Sequence, residues 1–145
     1  MTTVQVALTA AVATLKAAEI PDPVLDARLL MSTALDIEKG RLTLHLHDTL
    51  SAEAETKFTD LVSQRVKRMP ISHLLGYRDF YGRRFRITED VLDPRPETEV
   101  LVANALKRPF NSVLDLGTGS GCILLSLLAE NATARGVGVD VSAAA

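Results

Sequence analysis

The sequence predicts a small helical bundle, then a β-hairpin, then the opening of an α/β domain. Three observations predict it. Residues 3–68 carry apolar positions at helical spacing between capping residues. Residues 79–87 (DFYGRRFRI) switch to aromatic and β-branched residues around one glycine. Residues 112–141 read as strand, glycine-rich turn, helix and strand, a βαβ unit that implies a parallel sheet. The expected boundaries are a helical domain over 1–75, a basic hairpin linker over 76–95 and the start of the α/β domain over 96–145.

Each element has its own signals. Residues 3–20 begin with a threonine cap and set Val4, Leu8, Val12, Leu15 and Ala18 near helical spacing. Residues 22–37 open with Asp22 as cap and Pro23 at the first helical position. Leu25, Leu29, Leu30 and Leu35 supply its apolar stripe, and Gly40 falls where a helix should stop. Residues 42–46 (LTLHL) alternate and fit either a short strand or a short helix. Ser51 caps a third helix through Arg68, with Phe58, Leu61, Val62 and Val66 inward. After the hairpin, DPRPET at 93–98 is a proline-stiffened turn. It leads into a helix from Glu97 to Lys107 whose core face is Val100, Leu101, Ala105 and Leu106. Ser112–Leu116 is a short strand, Gly117–Gly121 the glycine-rich turn and Cys122–Glu130 an apolar helix; residues 135–141 (RGVGVDV) are a second, buried strand.

Composition narrows the function. The chain has 145 residues, 47% apolar and 23% charged, an ordinary globular composition. Its net charge of -2 argues against a protein that coats nucleic acid. One cysteine argues against a disulfide framework or a cysteine-rich zinc site. Neither a spanning apolar stretch nor a basic signal-peptide region is visible, so the cytoplasm is the expected location. The charge is uneven: residues 1–64 carry net -4, residues 65–86 net +6 and residues 87–145 net -4. The basic band reads as a site for an anionic partner or as cations paired with the flanking acids.

The run VLDLGTGSGCI at 113–123 carries the strongest chemical signal. Its glycines, Gly117, Gly119 and Gly121, suit a turn with positive φ and a close approach to the backbone. A Walker A loop needs Gly-Lys-Ser/Thr, which is absent. The dinucleotide fingerprint needs a glycine at position 122, which is Cys. The spacing G-x-G-x-G after Asp115 is that of the S-adenosylmethionine loop in Rossmann-like methyltransferases. Asp140 follows Gly121 by nineteen positions, where a Rossmann unit holds ribose hydroxyls. Asp115 would sit near the methionine part. The competing reading is a glycine-rich βα turn with no ligand.

The segment from Arg65 to Val102, RVKRMPISHLLGYRDFYGRRFRITEDVLDPRPETEVLV, followed by VLDLGTGSG, resembles the HemK/PrmC family of release-factor glutamine methyltransferases. The resemblance covers nearly the whole chain, and Arg95 to Glu99 (RPETE) is its most specific stretch. It implies methylation of the glutamine in the Gly-Gly-Gln motif of class 1 peptide-chain release factors, with S-adenosylmethionine as donor. It also implies that Gly117, Thr118, Gly119, Ser120 and Gly121 line the cofactor, that Asp140 binds its ribose, and that the helical domain and basic band help dock the factor. Arg95 and Glu97 would border the active site, or stiffen their turn through an Arg–carboxylate contact. The family's catalytic Asn-Pro-Pro-Tyr tetrapeptide is absent, so no catalytic residue is assigned and the sequence reads as the N-terminal portion of the enzyme.

Two other functions fit the same motifs. One is a Rossmann methyltransferase acting on RNA or another protein; the other is a non-catalytic binding module. Neither a metal site nor direct nucleic-acid contact is expected. His45 and His47 have no third ligand cluster near them, and His73 reads as a packing histidine. Cys122 reads as a small residue beneath the cofactor, although a helix N-terminus lowers a thiol pKa. Phe80, Tyr81 and Phe85 interleave with arginines, a pattern read as a hairpin packing on the helical domain.

Overall fold

The computed structural model describes residues 2–145 and divides the chain into two units, Met1–Leu75 and Gly76–Ala145. The first unit is helical. Helix α1, Val4–Ala17, begins where the Thr3 hydroxyl accepts from the Val6 amide. The next orphan donors of that turn, the amides of Val4 and Gln5, reach the carbonyls of Asp48 and Leu46 at 3.0 and 2.9 Å. Helix α2, Pro23–Leu35, starts at its proline as expected, but the Asp22 side chain makes no cap hydrogen bond.

Two expectations for this region are corrected. Helix α2 stops at Leu35, because Asp36 takes the left-handed conformation and its amide reaches the carbonyls of Ser32 and Thr33. A short polar side chain tolerates that conformation, so a glycine is not needed. Gly40 instead lies inside a 3-10 helix, Lys39–His45, which also settles the ambiguous 42–46 stretch. The buried face of α2 is Ala27, Leu30, Met31 and Ala34, whereas Leu25 is 56% exposed and Leu29 and Leu35 are half-buried. The core stripe keeps Leu30 of the expected leucines and otherwise runs through Ala27, Met31 and Ala34, with Leu35 packed at its edge.

Helix α3, Ala52–Val66, is capped by Ser51, whose hydroxyl accepts from the Ala54 amide at 3.1 Å. It ends before Arg68, which turns left-handed and donates to the carbonyls of Ala18 and Glu19 at the end of α1. A short helix α4, Ile71–Leu75, follows. The core joins Val4, Leu8 and Leu15 of α1 to Leu30 and Met31 of α2 and to Phe58 and Val62 of α3. One ion pair lies in it: Arg65 Nε donates to Asp26 Oδ2 at 2.7 Å, with both side chains largely buried.

The second unit opens with an antiparallel hairpin, β1 (Tyr77–Phe80) and β2 (Arg83–Arg86), in the register Tyr77↔Arg86 and Phe80↔Arg83. Its two-residue turn places Tyr81 and Gly82 at φ 47° and 73°, the left-handed pair of a type I′ turn. Phe80 and Phe85 meet edge to face at 6.2 Å and share a core with Val102, Cys122 and Leu127. The hairpin's core therefore belongs to the second unit and not, as expected, to the helical one. The aromatic pair needs a large apolar face, and the helices of its own unit supply it.

Helix α5, Thr98–Ala105, buries Val102, whereas Val100 and Leu101 are exposed, against expectation. One helix face meets the aromatic core, and at this short length it admits Val102 with Ala105 and Leu106 beside it. Strand β3, Ser112–Leu116, helix α6, Cys122–Glu130, and strand β4, Arg135–Val139, form the βαβ unit. The strands pair in parallel, Ser112↔Arg135 through Leu116↔Val139.

Strand β4 is shorter than expected, and it is not buried. Gly136 and Gly138 bring α6 onto one face: a Cβ at Gly136 would lie 2.6 Å from a Leu124 methyl, and one at Gly138 would lie 2.7 Å from the Thr118 hydroxyl. On the strands' other side Leu114, Leu116, Val137 and Val139 are exposed, because no described element forms a layer there.

Replacing Asp26 with alanine would leave Arg65 without its buried partner. The expected loss is about 2–3 kcal/mol, since stranding one charge of a buried pair costs more than the pair contributes. Urea unfolding of Asp26→Ala against the unaltered chain measures it, and a loss below about 0.5 kcal/mol would show that the pair is solvated.

Candidate functional site

The site grows from the end of β3. The chain leaves Leu116 and turns through Gly117, Gly119 and Gly121 at φ 74°, 52° and 74°. A side chain at any of these would be strained. A Cβ on Gly117 or Gly119 would meet nothing within 4 Å, so the glycines also leave the loop backbone open to a ligand.

Strand β4 holds the loop. The amides of Gly117 and Thr118 both donate to the Val139 carbonyl, at 2.8 and 3.0 Å. The Gly119 amide donates to Asp140 Oδ2 and the Ser142 amide to Asp140 Oδ1, each at 2.9 Å. These two bonds hold the Asp140 carboxyl below its ordinary pKa. The Thr118 hydroxyl donates to Asp115 Oδ2 at 3.0 Å. Asp115 and Asp140 are thus brought to the loop as expected, but the bonds they make here are to the loop itself.

A cavity of about 640 Å³ opens beside the loop, within the size range of small-molecule sites. One wall is loop residues 118–121 with Leu124 of α6; another is Arg86, Thr88, Asp90 and Val91, where the chain leaves the hairpin. Asp115, Gly117 and Asp140 do not line it. Nor do Arg95 and Glu97, which are exposed on the turn before α5. The Arg–carboxylate contact offered for that pair does not form: neither side chain has an ion-pair or hydrogen-bond partner among the described residues. Their carbonyls do serve the turn, accepting from the amides of Thr98 and Val100.

Sequence reasoning missed the second wall. Gly138, which also lines the cavity, had a readable signal: alternating glycines in a strand mark a close approach. Arg86, Thr88 and Val91 had none, because their role depends on where the hairpin packs. Cys122 is also relocated. It lies in the Phe80–Phe85 core and does not line the cavity, and burial, the largest cause, pushes its thiol pKa up. His45 does not stand free: its Nδ1 lies 2.8 Å from Asp48 Oδ2.

Most of the basic band is paired. Besides Arg65 and Arg68, Arg83 meets Glu130 at 2.7 Å and Arg84 meets Asp79 at 2.9 Å. Arg84 also lies over the Tyr77 ring at 3.9 Å, and Arg78 lies 3.6 Å from Asp93.

The PrmC N-terminal domain family matches residues 6–76. Release factor glutamine methyltransferases of Cereibacter sphaeroides and Caulobacter vibrioides are 52% and 41% identical to the chain, each over 96% of it and 50% of the relative. That of Bacillus anthracis is 36% identical over 79% of the chain and 43% of the relative. The chain belongs to the PrmC family. PrmC-family proteins with curated names are methyltransferases, so the family is one of enzymes. This PrmC-family chain spans about half the length of the curated relatives it matches. Among the described residues no helix is long and apolar enough to cross a membrane.

The Asp140 bonds set a pH dependence. A carboxylate whose pKa is lowered on folding stabilises the fold above its ordinary value and loses that contribution as pH falls through the lowered one. The amide resonances of Gly119 and Ser142 should therefore move together as pH falls, with a shared midpoint below 3.8, the ordinary aspartate value. Movement centred at or above that value would show that the carboxylate does not hold the loop in solution.

Proposed function

We propose that this chain supplies the docking domain and cofactor loop of a Rossmann-like, S-adenosylmethionine-dependent methyltransferase. Its substrate is the side-chain amide of the glutamine in the Gly-Gly-Gln motif of class 1 peptide-chain release factors. The single observation that carries the reading is the open 117–121 loop on the wall of a ligand-sized cavity, in a chain of the PrmC family.

The residues suit the cofactor. Thr118, Gly119, Ser120 and Gly121 line the cavity and would hold it. The loop backbone lies open, so a flat nucleoside approaches it closely. Asp115 and Asp140 put two carboxylates against the loop, which favours a ligand bearing a sulfonium and an ammonium. Each Asp140 oxygen accepts one backbone bond and keeps a lone pair for a ribose hydroxyl. When bound, S-adenosylmethionine supplies a methyl group activated by the positive sulfur.

The chain's own work is binding and orientation. An amide nitrogen is a weak nucleophile, because its lone pair is delocalised into the carbonyl. Its attack needs alignment and acceptors for the amide hydrogens. The sequence holds no Asn-Pro-Pro-Tyr, so we assign the cofactor loop to this chain and none of those acceptors. Arg95 and Glu97, exposed and without side-chain partners among the described residues, are assigned to the border facing the substrate. The helical unit and the basic band are assigned to docking the release factor. The reaction belongs in the cytoplasm, where translation terminates.

Calorimetry with S-adenosylmethionine and transfer of a labelled methyl group to a release factor test the reading. The chain should bind the cofactor, and Gly119→Val should weaken binding at least about tenfold, because a β-branched residue is strained at φ 52°. The chain should retain the release factor in a pull-down and transfer no label. Failure to bind the cofactor overturns the cofactor assignment. Methyl transfer by the chain alone overturns the placing of the acceptors elsewhere.

A further inference from the structure

The cavity wall opposite the glycine loop carries two charged side chains, Arg86 and Asp90, four positions apart where the chain leaves β2. They are the charged residues among those lining the cavity. Both are exposed. Neither side chain has an ion-pair or hydrogen-bond partner among the described residues, although Arg78, Arg83 and Arg84 of the same hairpin all do. The backbone holds the segment in place. Arg86 pairs with Tyr77 across the hairpin, the Ile87 amide donates to the Gly76 carbonyl at 2.9 Å, and the Asp90 amide donates to the Thr88 hydroxyl at 3.3 Å. A cation and an anion therefore line the same cavity on a stretch whose backbone is held, and each is left for something else to neutralise.

We propose that Arg86 and Asp90 form a zwitterion clamp, Arg86 taking the α-carboxylate and Asp90 the α-ammonium of the cofactor's amino-acid end. The inference rests on the cofactor reading above. The chemistry singles out that end of the molecule. The adenosine part carries no full charge, and the sulfonium is a single cation without hydrogen-bond donors. Only the amino-acid end offers one anion and one cation side by side, with a planar carboxylate that a guanidinium fork matches. The glycine loop lines the cavity with backbone groups and the Thr118 and Ser120 hydroxyls but with no charged side chain, so the clamp decides whether a ligand must carry an amino acid.

Equilibrium binding tests this without turnover. Three probes are titrated into the full chain and into Arg86→Gln and Asp90→Asn: S-adenosylmethionine, its decarboxylated form, and 5′-methylthioadenosine, which lacks the amino-acid end. The unaltered chain should prefer S-adenosylmethionine to the decarboxylated form by about tenfold. Arg86→Gln should bind those two equally and methylthioadenosine as before. Asp90→Asn should weaken both amino-bearing probes and leave methylthioadenosine unchanged. Loss of the same size for all three probes, or no loss for any, overturns the clamp while the cofactor reading stands. Failure of the unaltered chain to bind any probe overturns the cofactor reading and the clamp with it. The amide spectrum of each variant should match that of the unaltered chain away from the substituted position, since neither side chain has a hydrogen-bond or ion-pair partner among the described residues.

Discussion

The carbonyl of Val139 and the carboxylate of Asp140 are what the second unit depends on. Between them they accept the amides of Gly117, Thr118, Gly119 and Ser142. A segment with three glycines in five residues has much backbone entropy to lose, and one side-chain bond, from the Thr118 hydroxyl to Asp115, is too little to direct it to one shape. Three hydrogen bonds to the end of the neighbouring strand do so, and the Ser142 amide steadies the carboxylate that accepts one of them. The loop's shape is thus a property of the pairing of β3 with β4. That pairing is in turn held under α6, which reaches the sheet only because Gly136 and Gly138 lack side chains.

The same dependence runs to the other wall of the cavity. Its position follows from the hairpin, and the hairpin's from two phenylalanines that lock into the core of α5 and α6. Two polar contacts fix the orientation of that packing. The Tyr81 amide at the hairpin tip donates to Glu99 of α5 at 2.8 Å, and Arg83 reaches Glu130 at the end of α6. Burial of the aromatic pair supplies the free energy, and these contacts select one rotation of the hairpin over others. The cavity is the gap left between a loop fixed by β4 and a strand end fixed by an aromatic core.

How much of this was legible varied with the range of the interactions. The βαβ unit was read almost residue by residue, since Ser112–Leu116 and Cys122–Glu130 are bounded by local signals: a glycine-rich turn and a change of apolar period. The caps Thr3 and Ser51 were legible for the same reason. The burial of α2 and α5 was not. Leu25 and Leu101 are larger than Ala27 and Val102, and Val100 is the same size as Val102, yet Ala27 and Val102 face the core. Which face turns inward is decided by partners distant in sequence. At the site, the loop was legible as a motif, while the bonds that hold it and the Arg86–Val91 wall became visible only in three dimensions.

The basic band shows how a sequence-level charge excess dissolves on folding. A net +6 over residues 65–86 looks like one electrostatic feature. In the structure its members have separate local duties. Arg65 closes a buried pair with Asp26, and Arg68 satisfies carbonyls at the end of α1. Arg78, Arg83 and Arg84 each face a carboxylate. Arginine suits all of these places, because its fork donates in several fixed directions while its stem covers apolar surface. The field that remains is set by the residues without such duties. Lys67 is one, on the helical unit, and Arg68 beside it also keeps its charge, since its carbonyl partners are neutral. On the hairpin it is Arg86, which stands on the wall of the cavity, so the hairpin's uncommitted positive charge is concentrated where a ligand would meet it.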